Sequence, residues 1–430
     1  MSNLPVNEMG HLTIGGVDSI NLARDFGTPL VAYDISYVKK QIQKFQQTFT
    51  DANVKGVVSY ASKAFSVKAI YQVIATLGAH ADIVSAGELM TAIAANFPAA
   101  NLSFHGNNKS LDELNLAIKY GVGTIVVDNF HELELLDQVL TEQNASVNIL
   151  LRVTPGISAH THEYIQTGQT DSKFGFDLES GQAEKALQLA TRNDRMNVRG
   201  IHAHIGSQIF DVNGFIFETK KLLSILKKWQ INLGFKASIL NIGGGFGIRY
   251  TNEDNPQKPE DMLATILETV KTETDNLQLP LPEVWIEPGR AIVGPAGYSL
   301  YSIGSRKDVP GLTSYLAVDG GMGDNIRPAL YQADYTAVLA KAPTLEPVEH
   351  VHLAGKYCES GDILINDLSL PQTHSGDVVV MLATGAYGYS MASNYNRNPR
   401  PAVVFTEKGN SKLVVKRETY GDLIQNDLDY

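Results

Sequence analysis

The chain has 430 residues, of which 43% are hydrophobic and 19% charged, a globular composition long enough to bury a large core without staples. Its single cysteine, Cys358, excludes an intrachain disulfide framework and a zinc site built on several cysteines. Lys and Arg total 35 against 46 Asp and Glu, and the resulting net charge of −11 repels polyanions, so no nucleic acid partner is expected. No apolar run approaches the ~20 residues that span a bilayer. The opening MSNLPVNEMG lacks the basic region and apolar stretch of a signal peptide. The expectation is a cytoplasmic protein with no membrane partner.

In chain order, HLTIGG (11–16) and TPLVAYDI (28–35) read as β structure. From about residue 54 to 290, short β-branched runs alternate with helical patterns. The strand candidates are 54–60, 80–85, 102–106, 124–129, 148–154, 200–206, 239–245 and 284–289. Between them 67–77, 87–97 and 111–120 carry apolar residues at spacings of three and four. Ser66 and Ser110 are placed to cap, and Ser110-x-x-Glu113 has the capping-box spacing. Eight strands alternating with helices predict an α/β fold, a (β/α)8 TIM barrel over 34–290. An open doubly wound sheet is the rival, but no G-x-G-x-x-G follows the first strand. The loop 155–180 is long and polar, as functional lids often are. After 290 the pattern turns to short extended runs broken by Gly, Pro and Asp, which predicts an all-β domain built from 1–33 together with 291–430.

Active sites of such barrels lie at the C-terminal strand ends. Strand one is followed by Lys63, an amine able to form a Schiff base, although a surface lysine is the plainer reading. Strand six carries His202 and His204 on one face, as a metal pair, as a ring for a cofactor to stack on, or as buried hydrogen-bonded histidines. Strand seven ends in Gly243-Gly244-Gly245, a phosphate cradle or merely a sharp bend. Strand eight ends in Glu287-Pro288-Gly289-Arg290, and a guanidinium matches phosphate bidentately. In the β domain, Cys358 beside Glu359 and Asp362 is a small hydrophobe or a proton donor. Together the amine, stacking ring, phosphate cradle and carboxylate fit pyridoxal phosphate, whereas a metal reading leaves Lys63, the glycines and Arg290 without a role.

The motifs YASKAF (60–65), HGNNKS (105–110), HAHIGSQI (202–209), NIGGGFG (241–247), EPGR (287–290), CESGD (358–362), GAYGYSMASNYN (385–396) and RPAVV (400–404) span nearly the whole chain. In this order they resemble the diaminopimelate decarboxylases, of the alanine-racemase-like class of pyridoxal-phosphate enzymes. CES and YSMASNYN favour this family over the ornithine and arginine decarboxylases. The resemblance implies pyridoxal 5'-phosphate as cofactor, no metal, a head-to-tail homodimer, and conversion of meso-diaminopimelate to L-lysine and CO2, the last step of lysine biosynthesis. It implies that Lys63 holds the cofactor aldehyde, His204 stacks on its ring, and Ser207 and Gly245 contact its phosphate. Asp82 would support the lysine and Glu287 the ring nitrogen, while Arg290 touches phosphate and substrate. Arg327 and Tyr331 would contact substrate, and Tyr387 both cofactor and substrate. Cys358 would be the general acid and Glu359 the reader of the distal amino group, both supplied by the partner subunit. Phe65 and RNPRP (397–401) depart from the family's usual pattern without touching a named role.

Overall fold

A computed structural model describes residues 4–156 and 172–430. The described residues pack as two compact units, one within 41–248 and 256–291, the other within 4–40, 249–255 and 292–430.

The first unit is the barrel. Its strands are β1 (Gly56–Ala61), β2 (His80–Ile83), β3 (Leu102–Phe104), β4 (Thr124–Val127), β5 (Val147–Thr154), β6 (Met196–His202), β7 (Ile239–Asn241) and β8 (Glu283–Ile286). All pair in parallel with their sequence neighbours, and β8 pairs back to β1, so the sheet closes. Each expected strand is present, several a few residues shorter at the carboxyl end, where the chain leaves the sheet to carry polar groups. Val126, Leu150, Ile239 and Trp285 come from four strands that are not all adjacent, yet they form one buried cluster. Only a closed interior brings them together.

Helix Leu111–Tyr120 opens with the predicted capping box, Ser110 and Glu113 each bonding the other's backbone. Ser66 does not cap. The helix starts at Lys68 after Val67, and the Ser66 hydroxyl lies 3.2 Å from the Tyr71 hydroxyl instead. The expected lid spans 155–180, of which 157–171 lie outside the described residues.

In the second unit one sheet runs, in spatial order, Ile363–Leu370, Glu349–Ala354, Ser314–Val318, Gly297–Lys307, Leu30–Asp34, Ala402–Glu407 and Asn410–Val415. The N-terminal strand Leu30–Asp34 is antiparallel to Gly297–Lys307 and parallel to Ala402–Glu407, so it sits inside the sheet. HLTIGG forms half of a two-stranded hairpin, and its Leu12 and Ile14 enter the core with Leu30, Leu300, Val380 and Val404. Residues 249–255, which the sequence reading leaves in the barrel, pack with this unit. The Tyr250 ring meets Tyr335 edge-on at 5.1 Å, and its carbonyl accepts the Thr336 hydroxyl at 3.0 Å.

Candidate active site

Four strand ends converge on one carboxylate. Glu287 follows β8 directly and is buried. Its Oε1 accepts the Asn241 side-chain amide at 2.7 Å and lies 3.2 Å from His105 Nε2, while Oε2 lies 3.1 Å from His202 Nε2. Asn241 and His202 are the last residues of β7 and β6 and stand in register, and His105 follows β3. Burial alone would raise the proton affinity of Glu287, but the two imidazoles hold it well below the usual carboxylate range. Burial pushes His202 down to about 4, against the pull of Glu287. At neutral pH His202 is therefore a neutral donor to an ionised carboxylate.

His204 lies two residues past the end of β6. Burial, then the charges of Lys63 and Arg152, keep its imidazole neutral. Its Nδ1 accepts the Gly244 N–H at 3.3 Å. Gly243 donates its N–H to the Asn241 side chain at 2.9 Å. Two of the three predicted cradle amides are thus engaged within the chain, and their glycines serve the bend. A Cβ on Gly244 would stand 2.0 Å from the Glu287 carbonyl, and one on Gly243 2.6 Å from that of Ala203. Gly245 is different: with φ at +110° it approaches the Gly206 carbonyl, where a Cβ would come to 2.4 Å. In the same barrel-end region Arg290 donates to the Ser207 hydroxyl at 2.9 Å. Gly245, Ser207 and Arg290 thus lie at the ends of β7, β6 and β8.

Lys63 sits exposed in the turn Ser62–Ala64 that follows β1. Asp82, on β2 in register with Ala61, accepts the Ser62 N–H at 3.1 Å. Burial and the nearby charge of Glu287 raise Asp82 well above a normal carboxyl, while Lys63 opposes them. Sequence reasoning named no role for His105 or Asn241. Both stood inside quoted motifs at strand ends, and position was the available signal.

In the β unit Arg327 is buried, its guanidinium 5.4 Å from the Tyr250 ring and 5.8 Å from those of Tyr331 and Tyr387. Its Nε has no hydrogen-bond partner among the described residues. Cys358 is exposed and donates its N–H to Asn396 at 3.3 Å, which removes the small-hydrophobe reading. Glu359, also exposed, accepts the Tyr395 hydroxyl.

Residues 35–294 match the family model of the pyridoxal-dependent decarboxylases, pyridoxal binding domain. The diaminopimelate decarboxylase of Bacillus methanolicus is 56% identical over 413 residues, covering 96% of each chain. That of Bacillus subtilis is 51% identical over 424 residues, covering 99% of this chain and 97% of its own. The crystal structure of diaminopimelate decarboxylase from M. jannaschii in complex with L-lysine superimposes with a TM-score of 0.93 at 35% identity, covering 100% of this chain and 98% of that one. The chain belongs to the diaminopimelate decarboxylase family. It is a pyridoxal-phosphate enzyme, and the donor set fits that cofactor: an amine, a neutral imidazole, an Arg290–Ser207 anion site beside a glycine that no Cβ could replace, and a buried carboxylate held ionised.

Proposed function

We propose that the protein releases one carboxyl group of meso-diaminopimelate as CO2 and yields L-lysine, the last step of lysine biosynthesis, as a cytoplasmic homodimer. The observation that carries this is the ionised Glu287, fixed by His105, His202 and Asn241 at the barrel mouth. When bound, pyridoxal phosphate supplies an aldehyde for the substrate amine and a ring that takes up the electron pair left by CO2. The chain's own residues do the rest. Lys63 holds the aldehyde until substrate arrives, with Asp82 beside it. His204 presents a neutral ring face. Ser207, Gly245 and Arg290 hold the phosphate. Glu287, a buried anion, would keep a proton on the ring nitrogen. Arg327 reads the distal carboxylate: a buried guanidinium ringed by tyrosines, with an unpartnered Nε, suits an anionic group. Tyr331 and Tyr387 line it, and Glu359 receives the distal ammonium. Cys358 then transfers its thiol proton to the carbon that lost CO2. In this reading the domains are 34–290 for the cofactor and 1–33 with 291–430 for substrate and dimer contacts, and Cys358 and Glu359 serve the partner's site.

Measuring CO2 release from meso-diaminopimelate, ornithine, arginine and lysine tests the assignment, with release from diaminopimelate alone expected. Preference for ornithine or arginine would move the protein to a related decarboxylase. One observation favours a second reading, a metal-dependent barrel hydrolase: ligand atoms of His105, His202 and Glu287 all lie within 4.8 Å of one another. An absorbance scan separates the two, because a lysine–pyridoxal Schiff base absorbs visible light and zinc does not. It also tests a catalytically silent homologue, against which the presence of Lys63 and Cys358 speaks.

A further inference from the structure

The HGNNKS segment carries a lysine that the reaction above does not use. Lys109 and Glu132 form a buried ion pair, Nζ to Oε1 2.7 Å, with side chains 1% and 2% exposed. Nζ also donates to the Gly106 carbonyl at 2.9 Å and the Val126 carbonyl at 2.8 Å. Three donors thus meet three acceptors. Glu132 Oε2 accepts the Asp128 N–H at 2.9 Å. Asn129 caps Glu132 at 3.0 Å and donates its own amide to the Asn107 carbonyl at 2.9 Å. The loop after β3 is therefore fastened to the end of β4 and to the first turn of helix Phe130–Glu142. The peptide held most directly is that of Gly106, next to His105.

We propose that Lys109 and Glu132 are positioning residues, which fix the backbone beside His105 so that its ring meets Glu287. The inference rests on the reading that Glu287 faces the cofactor's ring nitrogen. A buried ion pair is weak evidence for stability, since apolar residues of similar size often replace one without loss. What they cannot replace is an ammonium that orients two carbonyls at once. Geometry at His105, more than stability, is what the pair supplies.

The test uses the holoenzyme and four variants: Lys109→Met, His105→Asn, their combination, and Lys109→Met with Glu132→Met. Each is read by kcat and KM for meso-diaminopimelate, by its urea midpoint, and by the pH midpoint of the bound cofactor's absorbance. Lys109→Met is expected to lower kcat about tenfold with KM held within about twofold, and to move the absorbance midpoint in the same direction as His105→Asn. Combining the two should cost no more than about twofold beyond His105→Asn alone, since they act through one contact. The paired methionine variant should regain its urea midpoint but not its kcat. Additive losses, or kcat returning with stability, would overturn the proposal. If the paired variant does not fold, Glu132→Gln is compared with Lys109→Met, because it keeps shape and an acceptor for Nζ: loss in Lys109→Met with near-wild-type kcat and absorbance midpoint in Glu132→Gln would support the proposal, and wild-type values in Lys109→Met would overturn it. A wild-type enzyme with neither visible band nor CO2 release would strike the proposed function itself, and this is read before any variant.

Discussion

The chemistry-bearing groups of the two units are held in opposite ways. At the barrel mouth Glu287 is buried and meets three side chains from three other strand ends. In the β unit Cys358 and Glu359 are exposed, the Cys358 N–H donating to Asn396 and the Glu359 carboxylate accepting the Tyr395 hydroxyl. The barrel set is held in place by the chain's own side chains, the arrangement that stabilises developing charge without further reorganisation. The β-unit pair is exposed, whereas the proton donor and ammonium reader proposed above would need a dry, shaped surrounding. The difference teaches that the barrel groups are held by contacts within the chain while the groups of the β unit are not, which is what the shared site proposed above expects. Arg327 stands between these cases, buried in the β unit yet with an unpartnered Nε.

The largest expected effect is on the barrel side. Lys63→Ala should abolish the visible cofactor band and lower turnover by more than about a thousandfold, because the amine that holds the aldehyde is gone. A variant keeping band and activity would place the attachment elsewhere. Glu287→Gln should retain cofactor while lowering kcat about a hundredfold, since an amide cannot hold a proton on the ring nitrogen electrostatically. Near-normal turnover would show that the organised carboxylate is structural, and the contrast with the β unit would lose its chemical meaning.

The comparison is sharpened by hybrid dimers. Homodimers of Lys63→Ala and of Cys358→Ala should each be nearly inactive. Mixed after reversible dissociation, about half the dimers are hybrids with one intact site of two, so activity should return to roughly a quarter of wild type. Confirmed subunit exchange with no return of activity would place Lys63 and Cys358 in one chain's site and end the shared-site reading.

The barrel was legible because its strands are apolar on both faces and read as unbroken β-branched runs, as VVSY and TIVV do. The central β-unit strand Gly297–Lys307 was not, because GYSLYSIGSRK mixes Gly and Ser through the run and leaves its last four residues exposed. The motif residues were legible by position at strand ends, but their partners were not. That Gly244 spends its amide on His204 depends on a contact between segments 40 residues apart, which local pattern does not encode. The partnering of His105 with Glu287 is likewise a tertiary event between residues on opposite sides of the barrel sequence.

The smallest expected effect probes whether the barrel is organised throughout or only at its mouth. Glu218, on the inner face of helix Asn213–Leu233, is fully buried, and neither carboxyl oxygen has a partner among the described residues. Burial, then the charge of Glu287, raises its proton affinity well above a normal carboxyl. The folded state therefore keeps a proton that the unfolded chain gives up once pH passes its ordinary value. Folded protein then binds more protons than unfolded, so stability falls as pH rises from the unfolded pKa toward the raised folded one. Glu218→Leu removes that penalty and an unsatisfied polar group, and should stabilise by about 1–3 kcal/mol near neutral pH. The gain should be larger at pH 8 than at pH 5, read as the shift in urea midpoint at each pH. An equal gain at both would mean that Glu218 is not held protonated and that Leu simply packs better; a loss would mean that the carboxyl has a structural partner in solution, so that the wall, like the mouth, holds its carboxylate by specific contacts.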